Sequence, residues 1–166
     1  MKTTVQNQQE RHPLNLLKIR KLTVQLSRSL AAEHPETALE QVALILLGDA
    51  QMQALNRQYF QKDRPTDVIS FRYAAVPGVA EPTGEVLVNV DRAVQAGPQH
   101  QGVSAELALY IAHGINHLSG ADDATPPQRA AMRRTERRWL KAAASEGLAE
   151  GLLEGDGAFE GGSLRG

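Results

Sequence analysis

The stretch "HGINHLSGADD", His113 to Asp123, decides how this chain reads. His113 and His117 stand four apart, so on a helix they share one face and can offer ring nitrogens to one ion. Gly120 suits the end of such a helix and the turn that follows. That turn can bring Asp122 or Asp123 back over the histidine pair, and a carboxylate beside two imidazoles is an acceptable zinc donor set. A zinc peptidase helix carries a Glu directly after the first His to activate water; here that position is Gly114, which argues against peptide hydrolysis by that route. A plainer reading competes with the metal site: surface histidines, followed by aspartates that cap the next helix.

The rest of the composition narrows the chemistry. The chain has no cysteine, which excludes a disulfide framework, a Cys-based zinc ribbon, an iron–sulfur cluster and thiol catalysis. Any transition-metal site must therefore use His and carboxylate. A length of 166 residues suffices for one domain with a sizeable core, and 42% apolar with 22% charged residues is the profile of a soluble globular protein. The N-terminus lacks the apolar core of a signal peptide, and the longest apolar run, 42–47, is too short to cross a bilayer. These features predict a cytoplasmic protein with no membrane partner. Net charge is −1, unevenly placed: Glu146, Glu150, Glu154, Asp156 and Glu160 oppose only Arg165 near the end, so the body is basic. A basic body is compatible with RNA.

Working outward, periodicity and turn residues predict an α/β or α+β domain with a mixed sheet. Strands are expected near Thr3–Asn7, at 41–47, in the second half of 62–73, and at 84–90. Helices are expected from Pro13, with Leu16, Leu17, Ile19, Leu22, Leu26 and Leu30 at helical spacing, and from Asp49 to about Tyr59. Others should follow Asp91, Ser104 and Thr125, the last running to about Ala143, with Asp49, Asp91 and Ser104 as caps. Residues 144–166, rich in Gly and Glu, read as a disordered tail dispensable for fold and metal. Glu106 lies two helical turns before His113, placed to orient a ligand, take a proton or simply sit in solvent. Arg64, in a loop before a strand, has the planar fork that clamps phosphate. Arg129, Arg133 and Arg137 form a stripe on the last helix, either tracking a phosphate backbone or solvated as an exposed face, and Trp139 reads as a core anchor.

Three blocks in this order, "LNRQYFQKDRPTDVISF" (55–71), "GEVLVNV" (84–90) and "HGINHLSGADD" (113–123), resemble the YbeY family of bacterial metal-dependent endoribonucleases. The resemblance spans roughly residues 3 to 141. It implies a zincin-like α+β single domain over 1–143, a small mixed sheet covered by helices. It implies one Zn2+ per chain, with His113 and His117 as the first two ligands and Asp123 in the third position, and Arg64 as the catalytic arginine. It implies single-strand-specific RNA cleavage in rRNA maturation, near the small-subunit 3′ end, and in ribosome quality control, with ribosomal RNA and not DNA as partner. Three positions depart from the family pattern: Asn116 replaces a Leu, Ala121 a Tyr, and Asp123 the usual third His. Water on the metal, Glu106 and Asp122 are the candidate proton acceptors. Two other functions fit the same residues, a non-catalytic metal-stabilised ribosome-assembly factor and a small-molecule metal hydrolase.

Overall fold

The computed structural model describes residues 1–154. The strands are β1 (Lys2–Asn7), β2 (Gln41–Leu47), β3 (Val68–Tyr73) and β4 (Thr83–Asn89), and the helices are α1 (Leu16–Glu33), α2 (Asp49–Phe60), α3 (Val90–Ala96), α4 (Val103–His117) and α5 (Pro126–Ser145). Short 3-10 turns at Pro35–Thr37 and Gly97–Gln99 link α1 to β2 and α3 to α4. The sheet order is β1-β2-β4-β3. β1, β2 and β4 run parallel, and β3 runs antiparallel to β4, with Val68 opposite Val88 and Tyr73 opposite Thr83. The expected mixed sheet in a single α+β domain is what forms.

Alternation explains the two sides of the sheet. Val42, Leu44 and Leu46 of β2 and Val86 and Val88 of β4 enter the main core with Ile19 and Leu22 of α1, Leu107 and Ile111 of α4, and Trp139 of α5. Leu47, Ile69 and Leu87 face the other way and pack on Met52 of α2. Side chains two apart on a strand share a face, so one strand serves both layers. Trp139 is the core anchor that its sequence context suggests, 2% exposed.

α4 lies close on the sheet because of Gly114. A Cβ at that position would overlap Val86 Cγ1 and come 2.8 Å from Val68 Cγ2. The Ser70 hydroxyl also donates to the Gly114 carbonyl at 2.7 Å. Position 114 is thus a contact with β3 and β4, and no side chain fits there. The Glu of a peptidase helix is absent for a steric reason.

The end of the chain differs from expectation. Residues 146–153 are packed, not a disordered tail: Leu152 is fully buried, and Leu148, Ala149 and Leu153 pack against the core. The Leu152 amide donates to the Ser104 hydroxyl at 2.9 Å, and Leu153 bridges to Leu14. The Asn15 amide donates to the Leu152 carbonyl at 2.8 Å. Gly and Glu content masked three leucines spaced to reach a groove that only the folded body provides. Phe159 and the remaining positions from 155 lie outside the described residues. No described helix is long and apolar enough to cross a membrane.

Candidate metal centre and its cleft

The last turn of α4 carries His113 and His117, whose Nε2 atoms lie 3.1 Å apart. After His117 the chain turns through Gly120, at φ +90°, a value that favours glycine. Asp123 returns over the pair, its Oδ2 3.6 Å from His113 Nε2 and 3.5 Å from His117 Nε2. Asp122 instead turns its Oδ1 to accept the Asp123 amide at 2.8 Å. Between the two acids left open by the spacing, Asp123 is the one that converges. Arg129 Nη1 donates to the Asp123 and Ala124 carbonyls, at 3.1 and 3.3 Å, and holds this loop. It therefore leaves the stripe expected on α5.

The ring orientations are set from behind. His117 Nδ1 donates to the Ala121 carbonyl at 3.0 Å. His113 Nδ1 donates to Glu136 of α5, 3.0 Å from Oε2 and 3.1 Å from Oε1. With both Nδ1 atoms carrying protons, the neutral rings direct Nε2 lone pairs at each other and at a carboxylate. Three acceptors this close repel unless a cation or a shared proton lies among them. Burial disfavours the charged form of His113, but hydrogen bonding and charge from Glu136, with Asp123 and Asp67 adding, outweigh it and raise its pKa. The same negative field favours a metal cation. Two Zn–N bonds of about 2.05 Å at a tetrahedral angle set the nitrogens about 3.4 Å apart, close to the spacing here. His113, His117 and Asp123 therefore fit one divalent ion such as zinc.

Glu136 is the part of this centre that the sequence reading missed. It sits in a run of arginines yet is 2% exposed, and Asn116 Nδ2 donates to its Oε2 at 2.9 Å. Asn116, one of the three departures from the family pattern, thus supports the carboxylate that orients His113. A carboxylate behind a ligand histidine is the usual way a metal site fixes its tautomer. The signal in the sequence was spacing: Met132, Glu136, Trp139 and Ala143 trace the buried face of α5.

A cavity of about 430 Å³ opens over the three donors. Its wall includes Phe60 from α2, Asp67 and Thr66 from the following loop, and Ser70 and Arg72 from β3. The side chains of His113, His117 and Asp123 are 26%, 27% and 45% exposed, so the centre is open to solvent. Asp67 is the one carboxylate lining it besides Asp123 among the described residues. Glu106 lies elsewhere: it pairs with His100 Nδ1 at 3.0 Å and with Tyr110, whose pKa is raised by burial and by that carboxylate. Arg64 is exposed and outside the cavity wall, while its backbone carbonyl accepts Asn56 Nδ2 at 2.9 Å. A second cavity, about 860 Å³, lies between α4 and α5, shares Asp67 and His113 with the first, and is edged by Arg133, Arg137 and Lys141.

Known proteins are similar to this chain over most of its length. The family model for endoribonuclease YbeY matches residues 4–144. The chain is similar to the endoribonuclease YbeY of Anaeromyxobacter sp. (strain Fw109-5), 36% identical over 147 residues, covering 88% of this chain and 74% of that one. It is 34% identical over 127 residues to the endoribonuclease YbeY of Geobacter metallireducens, covering 74% of this chain and 81% of the relative. Its fold is similar to the solution structure of TM1509 from Thermotoga maritima, with a TM-score of 0.54, 22% identity, and coverage of 88% and 91% of the two chains. The model match and the identities over most of the chain show that this protein belongs to the endoribonuclease YbeY family.

Proposed function

We propose that this chain is a zinc-dependent, single-strand-specific endoribonuclease in rRNA maturation, acting near the small-subunit 3′ end and in ribosome quality control, with ribosomal RNA as its partner and the cytoplasm as its location. The observation that carries the metal-dependent reading is the convergence of His113 Nε2, His117 Nε2 and Asp123 Oδ2 at the floor of an open cleft. The RNA substrate rests on family membership. Arg72 at the cleft and the edge of Arg133, Arg137 and Lys141 along the neighbouring cavity also suit a polyanion.

His113, His117 and Asp123 would hold the ion, which when bound supplies Lewis acidity at a phosphoryl oxygen. Glu136 holds the His113 ring in position for this. Arg64, on the exposed loop that Asn56 pins, stabilises charge that develops on the phosphate in the transition state once the substrate is bound. Asp67, which lines the cleft, rather than Glu106, which is engaged with His100 and Tyr110, takes the proton of the attacking oxygen. Asp123 adds a negative charge where the family uses a neutral imidazole, and so weakens the Lewis acidity of the ion.

Cleavage of a structured ribosomal RNA fragment, with metal-stripped and zinc-reconstituted protein, tests this reading. Cleavage should require zinc. Arg64→Ala should keep the fold and the metal and lose about thirty- to a thousand-fold in rate, or roughly 2–4 kcal/mol. Full zinc occupancy with no cleavage would refute the reading and favour a metal-clipped assembly factor.

A further inference from the structure

Three of the exposed large hydrophobic residues stand together beside the cleft: Tyr59, Phe60 and Tyr73 are 52%, 45% and 50% exposed. Phe71 lies among them, its ring centroid 5.2 Å from Tyr59, 6.4 Å from Phe60 and 6.3 Å from Tyr73. Four of the seven aromatic residues in the chain thus form one cluster, with Phe71 half-buried against the layer of Leu47, Met52, Ile69 and Leu87 and the other three exposed, although burying them would favour folding. We propose that this cluster is a stacking subsite for unpaired nucleobases next to the phosphate held in the cleft. The proposal rests on the endoribonuclease reading above and names how that site engages its substrate.

Position and charge choose this occupant. Phe60 and Arg72 belong to the cleft wall itself, together with His113, His117 and Asp123. Phe60 and Phe71 are near parallel, 7° apart, so the aromatic surface continues from the wall along β3. Arg72 shares the cleft wall with Phe60, and Lys62 and Arg64 follow Phe60 in the chain; all three are exposed and in no ion pair among the described residues, whereas Arg57 is paired with Asp63. Flat π-faces beside unpaired cations match a base attached to a phosphate. An apolar protein partner would leave those cations desolvated without a counter-charge. Bases in a duplex stack on one another and do not present their faces, so the ligand is a single strand. Stacking accepts every base, so the subsite favours unpaired RNA without reading its sequence.

The experiment uses the full metal-stripped chain and short single-stranded RNAs with 2-aminopurine, whose emission falls on stacking, placed at successive positions. Emission of wild type should be quenched at one or two adjacent positions. Phe60→Ala and Tyr73→Ala should abolish that quench and weaken binding by about five- to a hundred-fold each. Phe60→Trp should retain it, while Phe60→Leu, which keeps apolar bulk without a π-face, should not. No quench with wild type, unchanged quench in both alanine variants, or Leu serving as well as Trp would each overturn the proposal. Zinc-dependent cleavage alongside any of those results leaves the endoribonuclease reading intact. Position-specific quench in a protein that never cleaves would sink that reading and keep the subsite.

Discussion

A single methyl group at position 114 has no room, and a single carboxylate at position 136 has no solvent; both facts shape the candidate metal site. Gly114 lets α4 approach β3 and β4 closely enough for Ser70 to bond its carbonyl, which fixes where the histidines stand. Glu136 fixes which way His113 faces, and Asn116 fixes Glu136. Glu136→Ala should lower zinc affinity about ten- to a hundred-fold, read by chelator competition, because the ring loses its orienting acceptor. Asn116→Leu should lower it less, since the carboxylate keeps His113. An unchanged affinity in Glu136→Ala would reduce Glu136 to a packing role. Elemental analysis should find near-normal zinc in Asp122→Ala and little in Asp123→Ala; the reverse would exchange the two assignments.

Between elements, polar residues expected to cap their own helices are used elsewhere. Asp49 accepts Asn89 Nδ2 at 2.7 Å, and Gly48 occupies the cap position of α2. Asp91 accepts the Asp49 amide and His12 Nε2 and so ties α3 to α2 and to the N-terminal loop, while Asn89 caps α3. Burial raises the Asp91 pKa, but these bonds and Arg11 overcome it and leave the net value lowered. α1 and α5 are joined by Glu33, which accepts Arg138 at 2.7 and 2.8 Å and Trp139 Nε1 at 2.6 Å. The Arg138 hydrogen bond is the main reason the Glu33 pKa falls from 4.5 to about 2. A depressed carboxylate pKa stabilises the fold fully above its unfolded value and loses that contribution as pH falls through the folded one. The window therefore runs from about pH 4.5 down to about 2. Glu33→Gln should cost on the order of 1 kcal/mol at pH 7, discounted for a partly solvated pair, and the cost should vanish near pH 2. Urea unfolding of both proteins across that range checks it, and a cost independent of pH would mean that lost packing, not charge, is responsible.

Over the whole molecule, the C-terminal residues close the core that the first helix opens. Leu152 is fully buried in the same cluster as Leu14 and Leu22, more than a hundred residues earlier in the chain, and as Leu107 of α4. Leu152→Ala should destabilise by about 2–5 kcal/mol, measured by denaturant unfolding. Truncation after Ala143 should lower the melting temperature as well, contrary to the dispensable tail that composition suggests. A melting temperature equal to that of the full chain would return these residues to a peripheral role.

The sequence by itself determined the element types, the family and the histidine pair. These are local properties: β2, "QVALILL", is the apolar run 42–47 with Gln41 before it, and four-residue spacing on a helix fixes a shared face wherever that helix lies. It also narrowed the third donor to two adjacent aspartates. Only the tertiary structure decided which aspartate converges, because one residue of difference in a turn reverses where a side chain points. Only packing brought Glu136, 23 residues on from His113, behind its ring, and drew Glu106 away to His100 although helical spacing allowed either use. The same holds for Leu152, whose Gly- and Glu-rich neighbours suggest solvent until the groove formed by α1, α4 and α5 exists to bury it. Local spacing specifies directions within an element, whereas burial and partners depend on the other elements that arrive beside it.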